Sequence, residues 1–257
     1  MTSAQSDTTA PSTRLIFASL LRADFIIFLK NRRSLILSIL LPYVILVSTN
    51  SNKGTANLGG SLFVIGLSIT YGIASTSIMG YSLAVARDRE KGVFQRLRVT
   101  PASTAAIMIS RLSVQVLANL IIALVVVILG ARVHHLSLSV GQYGLVLLIS
   151  ILGGLMFLCI GQALVALVKS SETVNSTARF LYIGLIFLGL FGQSGSLGHT
   201  WATAAKWSPV GTVMTLFAGV LKLSAWNARD YESLLAVVGY IVVFSVVGIR
   251  WFQWEVR

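Results

Sequence analysis

Charge, acid and sulfur are scarce in this chain. Only 11% of the 257 residues are charged, 8 are acidic, 4 are proline and 1 is cysteine. Soluble domains carry roughly 25% charged residues, so the polar surface of a water-facing fold is missing. The single Cys159 excludes an intrachain disulfide, a paired redox motif and a cysteine-rich metal site. Inside the run GLMFLCIGQALV it reads as a small buried hydrophobe. No lysine follows a glycine anywhere, which excludes a Walker A loop, GxxxxGK[ST]. No HExxH pattern occurs, and the neighbours His134 and His135 have no third ligand nearby, so no metal site is expected.

Apolar residues and positive charge are abundant. The chain is 55% hydrophobic with a formal net charge of +12 and a mean hydropathy of +0.83. A basic chain can bind nucleic acid, but here the basic residues cluster beside apolar runs, as they do next to membrane spans. Membrane lipid, and no nucleic acid, is the expected surrounding. Residues 1–13 are polar and read as a disordered tail. They lack the basic cluster of a secretory signal, and Arg22 and Asp24 interrupt the segment that follows.

A spanning helix needs about 20 predominantly apolar residues. Six candidates emerge, at 34–49, 58–85, 105–131, 143–168, 177–191 and 234–250, the first containing Pro42. Residues 14–33 are too charged to span easily. They read as an amphipathic helix in the interface plane, with Arg22 and Asp24 toward one side and Leu21, Phe25 and Phe28 toward another. Residues 192–223 are broken by Gly195, Gly198, Lys206 and Pro209 and carry Trp201 and Trp207. They predict short helices that dip into the outer leaflet and return. The expected fold is therefore all-α: six transmembrane helices in one membrane domain over 14–257, an interfacial N-terminal helix, and short re-entrant helices before the last span. Six spans put both termini on one side. The segments on that side hold fourteen basic residues against five opposite, which predicts cytoplasmic termini.

Residues 87–103, RDREKGVFQRLRVTPAS, hold five of the 20 Lys and Arg between two apolar runs. They form a cytoplasmic loop with a short amphipathic helix able to show Phe94 and Leu97 together with charges to a partner. Pro101 ends it, with Thr100 before it. A solvated loop that only sets topology explains the residues equally well. The pattern resembles the first cytoplasmic loop of ABC type-2 exporter permeases. It has an acidic–basic–acidic run (Asp88, Arg89, Glu90), then Gly92, Leu97, and Thr100-Pro101 with Ser103 after it; Arg111 also stands where a basic residue is typical. Departures are Val93 for Thr, Phe94 for an aliphatic and Arg98 for Leu. The resemblance implies a coupling helix at 87–101, with Arg87 to Glu90, Gly92, Phe94, Leu97, Thr100 and Pro101 as its residues. It also implies a separate pair of ATPase subunits that binds ATP and Mg, no cofactor and no catalysis on this chain, and a second permease copy, identical or related. The implied place is the bacterial cytoplasmic membrane, and the implied cargo a hydrophobic drug or antibiotic, or a lipid-linked glycan. An ATP-independent carrier and a membrane scaffold remain as readings from other classes.

Two further groups stand out. Ser68, Gly72, Thr76, Gly80 and Ala84 recur every four residues, a small-residue seam for close helix packing. Tyr71, Tyr182, Phe187, Phe191 and Gln193 are candidates for a substrate path, with lipid-facing or packing aromatics as the plainer reading. No Asp or Glu falls at mid-depth of a span, which argues against a proton-coupled carrier.

Overall fold

The computed structural model describes residues 13–30, 32–49, 60–93, 95, 104–192, 198–222 and 226–251. Of these, 91% are helical and none lies in a strand. The described residues form nine helices in chain order: α1 (Thr13–Lys30), α2 (Arg32–Ser48), α3 (Ser61–Glu90), α4 (Thr104–Val133), α5 (Val140–Leu167), α6 (Ser171–Gly192), α7 (His199–Trp207), α8 (Pro209–Leu221) and α9 (Ala228–Trp251). Two contain π-helical segments, Ser75–Tyr81 in α3 and Leu188–Gly192 in α6.

Among the described residues, five helices (α3, α4, α5, α6 and α9) are long and apolar enough to cross a membrane. The sixth expected span coincides with α2, which has 17 residues and encloses Pro42. At 1.5 Å per residue it reaches about 26 Å, just short of the roughly 30 Å hydrocarbon core. α8, at 13 residues, is shorter still.

α3 is the axis of the bundle. The apolar stretch of α3 is 78% buried against 17% for α9, so α3 sits at the centre and α9 at the rim. From Ser61 to Ala74 α3 is apolar on every face, with small residues among the large, and α2, α4, α5 and α8 all pack on α3. α9 lies along α5. Three helix starts are capped by side chains of their own sequence. Ser139 and Gln142 form a capping box on α5, Ser170 caps α6, and Ser208 caps α8 with Pro209 in the first turn. In the expected re-entrant region, α7 and α8 are two short helices meeting at Ser208, and α8 is buried along most of its length. Residues 193–197 and 223–225 lie outside the described ones, as do residues 1–12 of the expected tail.

α1 corrects one expectation. Asp24 does not share a side with Arg22. Positions 21, 24, 25 and 28 follow the i, i+3, i+4, i+7 spacing of a single helical stripe. Leu21, Asp24, Phe25 and Phe28 are all half-buried, whereas Arg22 is exposed. α1 packs on α4, and Asp24 points into that contact.

Candidate functional site

The charged triplet at the end of α3 organises one end of the bundle. Three consecutive residues of an α-helix point in directions about 100° apart, so each reaches a different neighbour. Asp88 pairs with Arg111 of α4, with Nη1 to Oδ2 at 2.6 Å. Arg89 is buried and donates to three carbonyls at the end of α5: Val165 at 2.8 Å, Val168 at 2.7 Å and Lys169 at 2.6 Å. Glu90 accepts from the backbone N–H and the hydroxyl of Ser171 at the start of α6, both at 2.5 Å. A cation thus meets the negative end of one helix dipole and an anion the positive end of the next. The last carbonyls of α5 and a first amide of α6, which have no partner within their own helices, are satisfied by one dipeptide.

The chain then turns. Gly92 has φ of +66°, a left-handed conformation that glycine adopts without a side-chain penalty, and its N–H returns to the Arg89 carbonyl at 3.1 Å. Arg87 and Lys91 flank the anchored triplet and are exposed. Phe94, Leu97, Thr100 and Pro101, the partner-facing residues of the expected coupling helix, lie outside the described residues.

A second layer joins α1. The Ser110 hydroxyl donates to Asp24 Oδ2 at 2.5 Å, and Arg111 Nε stands 3.9 Å from Asp24 Oδ1. Burial is the largest influence on the Asp24 carboxyl and raises it above its ordinary value, outweighing the Ser110 hydrogen bond and the charge of Arg111. Deeper along α3, the π segment meets two amides of α4. Gln115 Nε2 donates to the Thr76 carbonyl at 3.2 Å. The Thr76 hydroxyl donates to Asn119 Oδ1 at 2.6 Å, and Asn119 Nδ2 to the Ser77 hydroxyl at 2.9 Å. Thr76, Ser77 and Asn119 are all buried. π segments inside α-helices often mark functional positions, and this one carries a closed polar knot. The sequence reading missed it, although Gln115 and Asn119 are the two amide side chains of α4 and stand four residues apart, on one face.

The small-residue seam divides. A four-residue repeat overshoots a 3.6-residue turn by about 40° per step, so it cannot face one neighbour throughout. Gly72 fits between Ile122 of α4 and Pro42 of α2, where an added Cβ would come to 2.9 Å and 3.2 Å of their atoms. Ser68 is buried, Thr76 belongs to the polar knot, and Gly80 and Ala84 border a cavity. The aromatic candidates divide too. Tyr71 and Tyr182 are buried. The Tyr71 hydroxyl donates to the Ile186 carbonyl at 2.7 Å, and the Tyr182 hydroxyl to the Tyr71 carbonyl at 3.2 Å, tying α3 to α6. Phe187 and Phe191 lie tilted against each other, 4.8 Å between ring centroids, and are about half exposed. Gln193 lies outside the described residues.

Residues 7–250 match the family model described as ABC-2 family transporter protein. No curated protein matches the chain. The match spans nearly the whole sequence, and the chain belongs to the ABC-2 transporter family. It is a multi-pass membrane protein and a component of a membrane transporter.

Proposed function

We propose that this chain is the permease subunit of an ATP-driven exporter, with ATP bound and hydrolysed by a separate pair of ATPase subunits. The observation that carries the reading is the anchoring of Asp88, Arg89 and Glu90. One helix end is bonded to Arg111 in α4 and to the facing ends of α5 and α6, so a push on the loop that follows is passed to three helices at once. A loop that only sets topology needs its charges in water and has no use for such anchoring. In this reading 87–101 is the coupling segment, α1 lies in the inner interface, and both termini are cytoplasmic. α2 is the sixth span, and α7 and α8 form the outer re-entrant pair. The working unit has two permease copies, and its cargo is a hydrophobic or amphipathic small molecule.

The test is recovery of the tagged full chain from its native host in mild detergent, with partners identified by mass spectrometry. An ATPase subunit in stoichiometric amount, whose hydrolysis the permease stimulates, is the expected result. A folded chain recovered without any ATPase refutes the reading and leaves an ATP-independent carrier or a scaffold.

A further inference from the structure

A cavity of about 110 Å³ opens between α1, α3 and α4. Thr76, Gly80, Ala84 and Asp88 mark its length along α3. Twelve residues of helix make it about 18 Å long, so it is a slender groove. Gly80 and Ala84 leave it open, because neither side chain is large enough to fill it. Its middle is apolar, with Phe28 of α1 among the walls, while Asp24, Asp88 and Arg111 gather at one end.

Among the described residues, two carboxylates face one guanidinium at that end. Arg111 is 2.6 Å from Asp88 but 3.9 Å from Asp24, so its close ion pair is with Asp88. Asp24 is left with the Ser110 hydroxyl and a more distant cation, and its side chain is only 18% exposed. The cost of burying a carboxylate is relieved by a cation that hydrogen-bonds to it. Burial raises the Asp24 carboxyl above its ordinary value despite the Ser110 hydrogen bond and the charge of Arg111.

We propose that this groove binds a primary amine carried on a slender apolar body, the ammonium against Asp24 and the chain along Ala84, Gly80 and Phe28. The site lies within one chain and shares only Asp88 with the segment assigned to ATPase coupling. Its test reads amine binding without any ATPase, so its failure and that of the exporter reading are distinguishable. The amine comes from one of two sources, an aminophospholipid of the surrounding leaflet or an amphiphilic amine in transit.

The experiment uses the purified full chain in a neutral detergent, titrated with dodecylamine and read by native mass spectrometry. One dodecylamine binds saturably, and dodecanol at equal concentration does not displace it. Asp24→Asn weakens binding by about tenfold or more, the loss expected for one charge-assisted contact. Ala84→Leu fills the groove and abolishes binding with every charge in place. Ser110→Ala frees the same carboxylate and retains binding, which separates loss of charge from loosening of α1. Unchanged affinity in a monodisperse Asp24→Asn protein overturns the proposal. So does equal competition by dodecanol, or the absence of saturable binding to the wild-type chain. Repeating the titration in nanodiscs of phosphatidylcholine with and without phosphatidylethanolamine distinguishes the sources. Competition by phosphatidylethanolamine identifies the lipid amine, and indifference to it the free amine.

Discussion

Replacing Arg89 with alanine is the sharpest perturbation of this fold. Three hydrogen bonds of 2.6–2.8 Å leave the guanidinium for the end of α5. Each hydrogen bond to a charged group contributes about 1.5–3 kcal/mol net, and their simple sum overstates the loss. The guanidinium costs several kcal/mol to desolvate, and the part-buried carbonyls of Val168 and Lys169 regain water in the variant. A net loss of about 3 kcal/mol remains, most of it local. Protection of the amides around residues 162–171 against hydrogen exchange then falls by roughly a hundredfold. Because the same arginine also fixes the end of α3, the melting temperature drops by about 6–12 °C for a chain of this size. Arg89→Lys keeps the charge but lacks the planar fork that spans three acceptors, and recovers less than half of either effect. Hydrogen exchange of wild type and both variants in the same detergent checks this. Unchanged protection over 162–171 in Arg89→Ala would refute the clamp, because no other described side chain takes the Val165, Val168 and Lys169 carbonyls.

Two other predictions concern packing and pH. A Cβ at Gly189 would come to 2.3 Å of the Tyr71 hydroxyl, so Gly189→Ala costs about 1–3 kcal/mol by overpacking. Tyr71→Phe alone costs about 1 kcal/mol for the lost hydrogen bond to Ile186. The double variant is more stable than the sum of the two predicts, and strictly additive melting shifts would show that the two residues do not touch. For Asp24, burial raises the folded-state carboxyl above 3.8, so the folded chain holds that proton more tightly than the unfolded one. Stability contributed by this group is greatest at low pH and falls as pH rises through the window just above 3.8. Ser110, Arg111 and Asp88 face the same carboxylate and stay in place in Asp24→Asn. That variant flattens the slope of melting temperature in the window just above pH 3.8, and an unaltered slope assigns the dependence to another group.

The hydrophobic runs read well because hydrocarbon length and apolar content suffice to mark a span. The runs at 105–131 and 143–168 fall within or nearly on α4 and α5. The ends read less well. α3 was expected to stop at residue 85 but continues through Asp88, Arg89 and Glu90 to residue 90. Charge at a span's end looks like loop when its partners are unknown. The partners of Arg89 and Glu90 are helix termini 76 to 81 positions away in sequence, Asp88 pairs with Arg111 of the next helix, and no local pattern encodes that meeting. α1 shows a plainer error of geometry. Residues two apart on a helix point about 200° apart, so Arg22 and Asp24 never had a common face, and the stripe through 21, 24, 25 and 28 was readable. The aromatic candidates could not be sorted by type. Tyr71 faces inward because Gly189 admits its ring and Ile186 offers an acceptor, and both features arise from tertiary contact with α6.

The order of signs in the triplet follows from helix electrostatics and chain connectivity. α5 ends and α6 begins within a few residues of each other, at Val168 to Ser171, so a negative and a positive dipole end lie side by side. A single approaching helix meets both with adjacent residues, cation first and anion second. Exchanging Arg89 and Glu90 would put a carboxylate against carbonyls and a guanidinium against an amide. Both contacts become repulsive although composition and net charge are unchanged. The information in this stretch is therefore positional. On the proposed reading this is why a segment that touches a partner is also firmly anchored. Force entering at the loop does not need a path of its own, because the residues that end α3 already hold Arg111 of α4 and the facing ends of α5 and α6.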